Sequence, residues 1–120
     1  MIRNVVLEVE QHFIDNWTHS TVNYDEVGYT PIADKWIELL VVPILSERAS
    51  IDGCTIEHFE LHLMAYGKNK VVSGALMDDV ITFLQNKKIG SLRVSTWRQI
   101  ANGNLETGTY FYKVIFDAKA

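Results

Sequence analysis

The segment Trp36-Ile37-Glu38-Leu39-Leu40-Val41-Val42-Pro43-Ile44 is apolar at every position except Glu38. Successive side chains of a β-strand point to opposite faces of a sheet. As a strand, this segment presents apolar side chains to both sides: Ile37, Leu39 and Val41 to one, and Trp36, Leu40, Val42 and Ile44 to the other. A small antiparallel sheet usually leaves one face in water. The pattern therefore predicts that another layer, another subunit or another partner covers each face.

A second strand, residues 54–66, follows at hairpin distance. The turn falls within residues 46–53, where Asp52-Gly53 supplies a position that accepts a positive φ angle. A strand over residues 35–45 spans roughly 35 Å at ~3.3 Å per residue. That length is about the full width of a globule with a radius of gyration near ~13 Å. We therefore expect the hairpin tip to project from the body of the protein.

The remaining elements follow from apolar periodicity. Residues 2 to about 15 carry a stripe of helical spacing, formed by Ile2, Val5, Val6, Val9 and Phe13. An irregular segment, 16–34, contains a stretch with strand character at 21–24. A second helix is predicted from residue 69 to about 87, with Asn69 or Ser73 as N-cap. Its expected buried residues are Val72, Ala75, Leu76, Val80, Phe83 and Leu84.

Strands at 91–100 and 109–117 complete the order α-β-β-β-α-β-β. Gly90 is expected to end the second helix, and Lys87 and Lys88 to complement the negative end of its dipole. This order predicts an α+β fold, a mainly antiparallel β-sheet with two helices packed on one face. A chain of 120 residues is expected to form a single domain, residues 1–120.

Composition narrows the function classes. The formal net charge is −4, and the basic residues are scattered rather than gathered on one face, so we expect no specific nucleic-acid binding. No apolar run approaches the ~20 residues of a membrane span, and acidic residues such as Glu8 interrupt what would be a secretory signal. The single cysteine, Cys54, excludes an intrachain disulfide and suits a reducing cytoplasm.

One row of side chains has metal-binding chemistry. His58, Glu60 and His62 alternate along the second hairpin strand and share a face, so they can bind zinc if a neighbouring strand supplies further ligands. A solvated polar row opposite the apolar one explains the same alternation and is the more frequent case. Asp78-Asp79 are adjacent on a helix and splay apart, and no nucleophile motif surrounds Cys54. We therefore expect no catalytic residue, no metal and no cofactor.

The last predicted strand is also apolar on both faces. Tyr110, Tyr112, Val114 and Phe116 share one face, and Phe111 and Ile115 the other. One of these faces must pack in the core. Because aromatic residues are enriched at protein interfaces, the other face predicts a subunit contact. The candidate subunit-contact residues are Trp36, Leu40, Val42, Ile44, Tyr110 and Tyr112.

Taken together, these patterns resemble the small tail terminator (tail completion) proteins of long-tailed, lambda-like bacteriophages. An N-terminal helix precedes an irregular segment containing Asn23-Tyr24 and Gly28-Tyr29-Thr30-Pro31. An apolar strand that ends in proline follows, and the next strand runs through Gly67-Lys68-Asn69 into a helix. The last strand starts after Thr107-Gly108 and alternates aromatic with aliphatic residues. The likeness covers essentially the whole chain.

The resemblance implies a structural role without catalysis. Proteins of this family form a ring, usually hexameric, that caps the head-proximal end of the tail tube, ends its polymerisation and offers a head-joining surface. The implied partners are further copies of the chain, the major tail tube protein and the head connector or neck protein. The implied location is the virion, at the head–tail junction, after assembly in the cytoplasm of a bacterial host. The loop residues Glu47, Arg48 and Asp52 are the tube-facing candidates.

Two alternatives remain open at this point. Neck and head-closure proteins of phages share this style of fold, so a role on the head side of the junction is the first. The second is a small cytoplasmic α+β binding module or enzyme that uses the row of His58, Glu60 and His62, with a bound metal as one version.

Overall fold

The computed structural model describes residues 2–24, 34–48, 55–105 and 108–120. In chain order the elements are α1 (Ile2–Asn16), β1 (Thr21–Tyr24), β2 (Lys35–Arg48), β3 (Thr55–Gly67), α2 (Lys70–Leu84), β4 (Lys88–Ile89), β5 (Leu92–Asn104) and β6 (Tyr110–Lys119). The predicted α+β fold is confirmed, including the short strand at 21–24. The two-residue strand β4 is an addition that the sequence pattern did not predict.

The described strands form one sheet in the order β1-β2-β3-β6-β5-β4. The β2–β3 hairpin is antiparallel, with Lys35 opposite Gly67 and Arg48 opposite Thr55. β6 lies between β3 and β5 and is antiparallel to both. β1 is the exception, because it pairs in parallel with residues 36–39 of β2. The sheet is therefore mainly antiparallel, with its long strands at the centre and the short strands β1 and β4 at its two edges.

Both helices pack on one face of this sheet. Val5, Val9 and Phe13 of α1 are buried, as the predicted stripe requires. The Phe13 ring lies 4.9 Å from the ring of Phe83 on α2, and the Trp17 ring lies 5.2 Å from it. The sheet contributes alternate residues to this core, among them Ile37, Leu39, Phe59, Leu61, Leu63, Val114 and Phe116. Each such burial stabilises the fold by about 1.5–3 kcal/mol.

The start of α2 is held by two polar side chains with different tasks. Asn69 is the N-cap, and its side-chain oxygen accepts a hydrogen bond from the Val72 N–H at 2.9 Å. Ser73, the other predicted cap, is fully buried and donates to the Ala65 carbonyl of β3 at 2.7 Å. This bond presses the Ser73 side of α2 onto the sheet. The buried set is therefore Ser73, Leu76, Met77, Val80 and Leu84, whereas Ala75, predicted to be buried, is exposed.

The end of α2 corrects the sequence prediction. The helix ends at Leu84 rather than near residue 87. Asn86 adopts a left-handed φ of 57° and turns the chain back towards the sheet as β4. Gly90, with a φ of 58°, lies in the turn between β4 and β5 instead of ending the helix. Lys87 and Lys88 therefore follow the helix and do not occupy its last turn.

The molecule is elongated, with principal extents of 53 × 25 × 25 Å. β6 stops beside the middle of the hairpin, where Lys119 lies opposite His58 and Ala120 exchanges two backbone hydrogen bonds with Glu57. Beyond that point β2 and β3 pair only with each other in the described part of the chain. The predicted projection is thus a two-stranded extension. Residues 46–48, which were predicted to belong to the turn, are part of β2. Residues 49–54 lie outside the described residues. In the described part of the chain, no helix combines the length and the apolar character that a membrane crossing requires.

Candidate functional site

The sheet face opposite the helices is the candidate site, and we call it the open face. Because side chains alternate along each strand, the neighbours of the core residues point away from the helices. The register between strands brings these neighbours into rows. The open face carries Trp36, Glu38, Leu40 and Val42 of β2, Glu60, His62, Met64 and Tyr66 of β3, Phe111, Lys113, Ile115 and Asp117 of β6, and Arg98 of β5.

An aromatic row closes one end of the open face. Trp36 stacks on Tyr66 with a ring separation of 4.9 Å and an interplanar angle of 12°. Tyr66 in turn lies 6.4 Å from Phe111, and its hydroxyl contacts the Met64 sulfur at 3.4 Å. Trp36 and Tyr66 are each only 8% exposed. The row therefore covers its own apolar surface, and little of Trp36 is left for a partner.

A carboxyl group lies beside this aromatic row. Burial raises the pKa of Glu38, and its hydrogen bond with Tyr66 opposes that rise. Burial, together with the charge and hydrogen bonding of Glu38, raises the pKa of Tyr66 to about 12. The Tyr66 hydroxyl is therefore neutral at physiological pH and acts as a hydrogen-bond donor. The pair secures β2 to β3 at the aromatic end of the face.

Charged side chains occupy the other end of the open face. Arg98 donates to the Asp117 carboxylate at 3.0 and 3.1 Å and to Glu60 at 2.9 Å, so it joins β5, β6 and β3. The second Glu60 oxygen lies 3.0 Å from Nε2 of His62. The hydrogen bond with His62, followed by that with Arg98, lowers the pKa of Glu60 despite its partial burial. The arrangement is a network of paired charges that links β3, β6 and β5.

The structure places the predicted row of His58, Glu60 and His62 on one face, as alternation requires. Glu60 is engaged by His62 and Arg98. Within the described residues, no group of three or more His, Cys, Asp or Glu side chains is arranged to hold a metal ion. Glu60 and His62 therefore belong to the charged network of Arg98.

The predicted subunit-contact residues divide into two groups. Leu40 and Ile44 are 38% and 48% exposed, and Val42 is half-buried between them. Tyr110 and Tyr112 lie on the helix side instead of the open face. Their rings are 5.3 Å apart, Tyr110 is 8% exposed and donates to Asn102, and Tyr112 packs against the core. The two tyrosines and the β2 residues therefore do not form one continuous patch.

The tube-facing candidates lie at the far end of the hairpin. Glu47 and Arg48 are the last two residues of β2 and pair with Ile56 and Thr55. Asp52 lies outside the described residues. Two further exposed apolar residues, Trp97 (39%) and Ile100 (46%) on β5, were not among the candidates. The sequence signal for Trp97 is a tryptophan between the polar residues Thr96 and Arg98. Aromatic residues are enriched at protein interfaces.

A cleft of about 480 Å³ opens on the helix side, between the end of α1 and α2. His19 Nδ1 lies 3.6 Å from Asp79 Oδ2, and His12 packs on Phe83 with ring centroids 4.8 Å apart. Burial, followed by the charge of Lys87, lowers the pKa of His12. The two imidazoles thus engage different partners and do not converge on a common point in the cleft.

The sequence matches no protein-family model and no curated protein. Among solved structures, 11 chains match. One of them belongs to the virion of a native gene transfer agent (GTA) particle, with a TM-score of 0.64 and 14% sequence identity. The match covers 95% of this chain and 92% of that one. At this identity it establishes a shared fold over nearly the whole length of both chains, and the resemblance to tail terminators stays a prediction.

Proposed function

We propose that this chain is a virion structural protein that assembles as a ring and caps the head-proximal end of a phage tail tube. One observation carries the proposal: a chain from the virion of a gene transfer agent particle has the same fold over 95% of this sequence. The resemblance to tail terminators narrows that class to the end of the tail tube. In this role the protein is not an enzyme, and it acts through surfaces that join it to other copies and to neighbouring virion proteins.

The surface of the sheet supports self-assembly. Leu40 and Ile44 flank the half-buried Val42 on an exposed part of β2. Single exposed apolar residues are ordinary on protein surfaces, whereas adjacent ones mark contact sites. Burying a side chain of this size on association gains up to about 1.5–3 kcal/mol. Leu40, Val42 and Ile44 therefore carry the proposed subunit contact, and Trp36 supports them from within the subunit.

The far end of the β2–β3 hairpin and the net charge indicate how the ring would meet the tail tube and DNA. Glu47 and Arg48 lie at the end of a two-stranded extension, which suits them for contact with the major tail tube protein, together with the loop residue Asp52. The head connector or neck protein would bind the opposite side of the ring. A ring with a net charge of −4 per subunit repels the phosphates of DNA in transit.

The decisive experiment is a capping assay. The purified protein is added to growing tubes of a phage tail tube protein, and tube length and end density are measured by electron microscopy. We expect the wild type to limit tube length and to sit at one end, and Val42→Asp to lose both effects. Val71→Asp is the matched control, because Val71 is 79% exposed on α2 and should leave capping unchanged.

A gel-shift assay with duplex DNA at physiological salt completes the test. We expect no shift. A DNA shift at sub-micromolar protein, combined with tubes of unchanged length, would overturn the proposal. Binding to a head connector without binding to tubes would instead assign the protein to the neck.

A further inference from the structure

Helix α1 carries exposed apolar residues on the side that faces away from the sheet. Leu7 and Ile14 are 55% and 62% exposed, whereas the opposite side of the helix is buried in the core. Because an α-helix has about 3.6 residues per turn, positions 7 and 14 lie on one side of α1, about two turns or roughly 10 Å apart. Gln11 lies between them and is also exposed. We call Leu7, Gln11 and Ile14 the α1 stripe.

We propose that the α1 stripe of one copy packs on Leu40, Val42 and Ile44 of a second copy, so that the helix of each subunit covers part of the open face of its neighbour. This inference rests on the proposed self-assembly and names the surface that the β2 residues meet. The occupant of the open face is thus another copy of this chain. Leu7 and Ile14 become contact residues.

The position of α1 in the subunit supports this contact. Burial and then the charge of Glu10 raise the pKa of Tyr24, which places one flank of α1 near β1. The other flank reaches the β4–β5 turn, where Glu8 accepts hydrogen bonds from the N–H and the hydroxyl of Ser91. Between these two points α1 contacts β2. The α1 stripe and the apolar residues of β2 therefore lie on opposite sides of the same part of the molecule.

A ring places such opposite surfaces against each other. Rotation about a ring axis moves each copy without changing its height along the axis or its distance from it. When the axis runs parallel to the layers of the subunit, the helix side of one copy faces the open face of the next. A contact between two different surfaces is head-to-tail and closes into a ring when the rotation permits.

The contact also supplies a layer that the open face lacks. An apolar sheet face is normally buried against helices or a second sheet, and both helices of the subunit pack on the other face. The segment from Leu40 to Ile44 spans roughly 13 Å at ~3.3 Å per residue, which is close to the length of the α1 stripe. The neighbour's α1 therefore fits the exposed part of β2 in both length and apolar character.

Two open faces would fit each other less well. A face-to-face contact would enclose the charged network of Arg98, Glu60 and Asp117 together with the apolar residues, and taking paired charges out of water is costly. Arg98 lies on β5, three strands or roughly 14 Å from β2. A single helix lying over β2 leaves that end of the network in water. A contact between two identical surfaces also makes a closed dimer rather than a ring.

Two single variants, Ile14→Asp and Leu40→Asp, test the contact by light scattering after size-exclusion chromatography. We expect each to run as a monomer with a circular dichroism spectrum like that of the wild type, because both positions are exposed in the subunit. An equimolar mixture should form a heterodimer, since one chain keeps its open face and the other its α1 stripe. A contact between two open faces predicts instead that Ile14→Asp keeps the wild-type mass. Val71→Asp, on the other helix, should keep that mass.

Cysteine pairing gives a second readout. In a Cys54→Ser background, an Ile14→Cys chain and a Leu40→Cys chain should form a disulfide-linked heterodimer on oxidation, in excess over either homodimer. The inference is overturned if the wild type is a monomer at every concentration, if Ile14→Asp retains the wild-type mass, or if the mixture of the two Asp variants stays monomeric. Tube capping by a ring that Ile14→Asp leaves intact contradicts the α1 contact alone. A ring held by these two surfaces that fails to cap tubes contradicts the proposed function alone.

Discussion

Replacing Trp36 by alanine separates its role inside the subunit from a role between subunits. The indole is 8% exposed and lies flat on Tyr66 at 4.9 Å, although both residues are on the open face. Truncating a buried tryptophan or phenylalanine to alanine costs about 3–5 kcal/mol. Trp36 is outside the layer between helices and sheet, so we expect the low end, about 3 kcal/mol. A domain with about 5–15 kcal/mol of stability then remains mostly folded.

The assay is urea unfolding followed by far-ultraviolet circular dichroism, at a protein concentration low enough to keep the chain monomeric. With a slope of about 1–3 kcal/mol per molar urea, a loss of about 3 kcal/mol moves the midpoint by roughly 1–3 M. Leu40→Ala is the matched control. Because Leu40 is 38% exposed in the monomer, its truncation should cost about 1 kcal/mol or less.

A double-mutant cycle with Tyr66→Leu isolates the stacking. We expect a coupling of about 0.5–1.5 kcal/mol between positions 36 and 66, the usual range for aromatic pairs. If Trp36→Ala shifted the midpoint no more than Leu40→Ala does, the reasoning would be refuted. The indole would then be free in the monomer, and its place among the subunit-contact residues would be restored.

Three further substitutions test contacts that stabilise the fold away from the Trp36–Tyr66 pair. Ser73→Ala removes the buried hydrogen bond to the Ala65 carbonyl and should lower the free energy of unfolding by about 0.5–1.5 kcal/mol, measured from the urea midpoint. Gly67→Ala should lower the melting temperature, because its Cβ would lie 2.8 Å from the Ser73 backbone nitrogen. The start of α2 would have to move away, which costs about 1–3 kcal/mol. Glu60→Gln should make the free energy of unfolding depend less steeply on pH on the acid side. The His62 hydrogen bond and then the neighbouring guanidinium lower the Glu60 pKa, so its stabilisation is full above the ordinary glutamate pKa of about 4.3 and is lost as the pH falls below it.

Each of these outcomes has a comparison that can contradict it. Thr82→Ala, at an exposed position of the same helix, should leave the free energy of unfolding nearly unchanged. If Ser73→Ala lowered it no more than Thr82→Ala does, the buried hydrogen bond of Ser73 would not stabilise the fold. Gly103→Ala places its Cβ 3.7 Å from Phe111, an ordinary contact, and should melt close to the wild type. For Glu60→Gln, an acid limb with the same slope as the wild type between about pH 5 and 2 would show that the ion-pair network adds no stability.

Alternation along β6 identified two sets of side chains but could not tell which set the helices cover. That choice depends on the register with β3, a strand far away in the sequence. Tyr112 lies opposite Ala65 on the helix side, and an added Cβ on Gly74 of α2 would lie 3.5 Å from its ring. Phe111 lies opposite Tyr66 on the open face. The assignment of Tyr110 and Tyr112 to one patch with the β2 residues therefore lacked the non-local information that decides it.

Local signals performed well where local interactions decide the structure. The stripe of α1 and the cap Asn69 follow from neighbours within a few residues, and both are present. The end of α2 could not be read in this way, because the chain leaves the helix to pair β4 with residues 92 and 93 of β5. The covered state of Trp36 was likewise hidden, since Tyr66 reaches it only through the register of the hairpin.

The position of β6 has a consequence for folding, because the centre of the sheet depends on the last strand of the chain. It is the last strand in the chain order and yet lies in the middle of the sheet, between β3 and β5. Until it is inserted, the β2–β3 hairpin and the β4–β5 hairpin are separate pieces with exposed inner edges. Folds dominated by such distant pairings form slowly and expose their strand edges on the way. A ribosome-bound chain that has not yet released residues 110–119 therefore cannot join its two hairpins into one sheet.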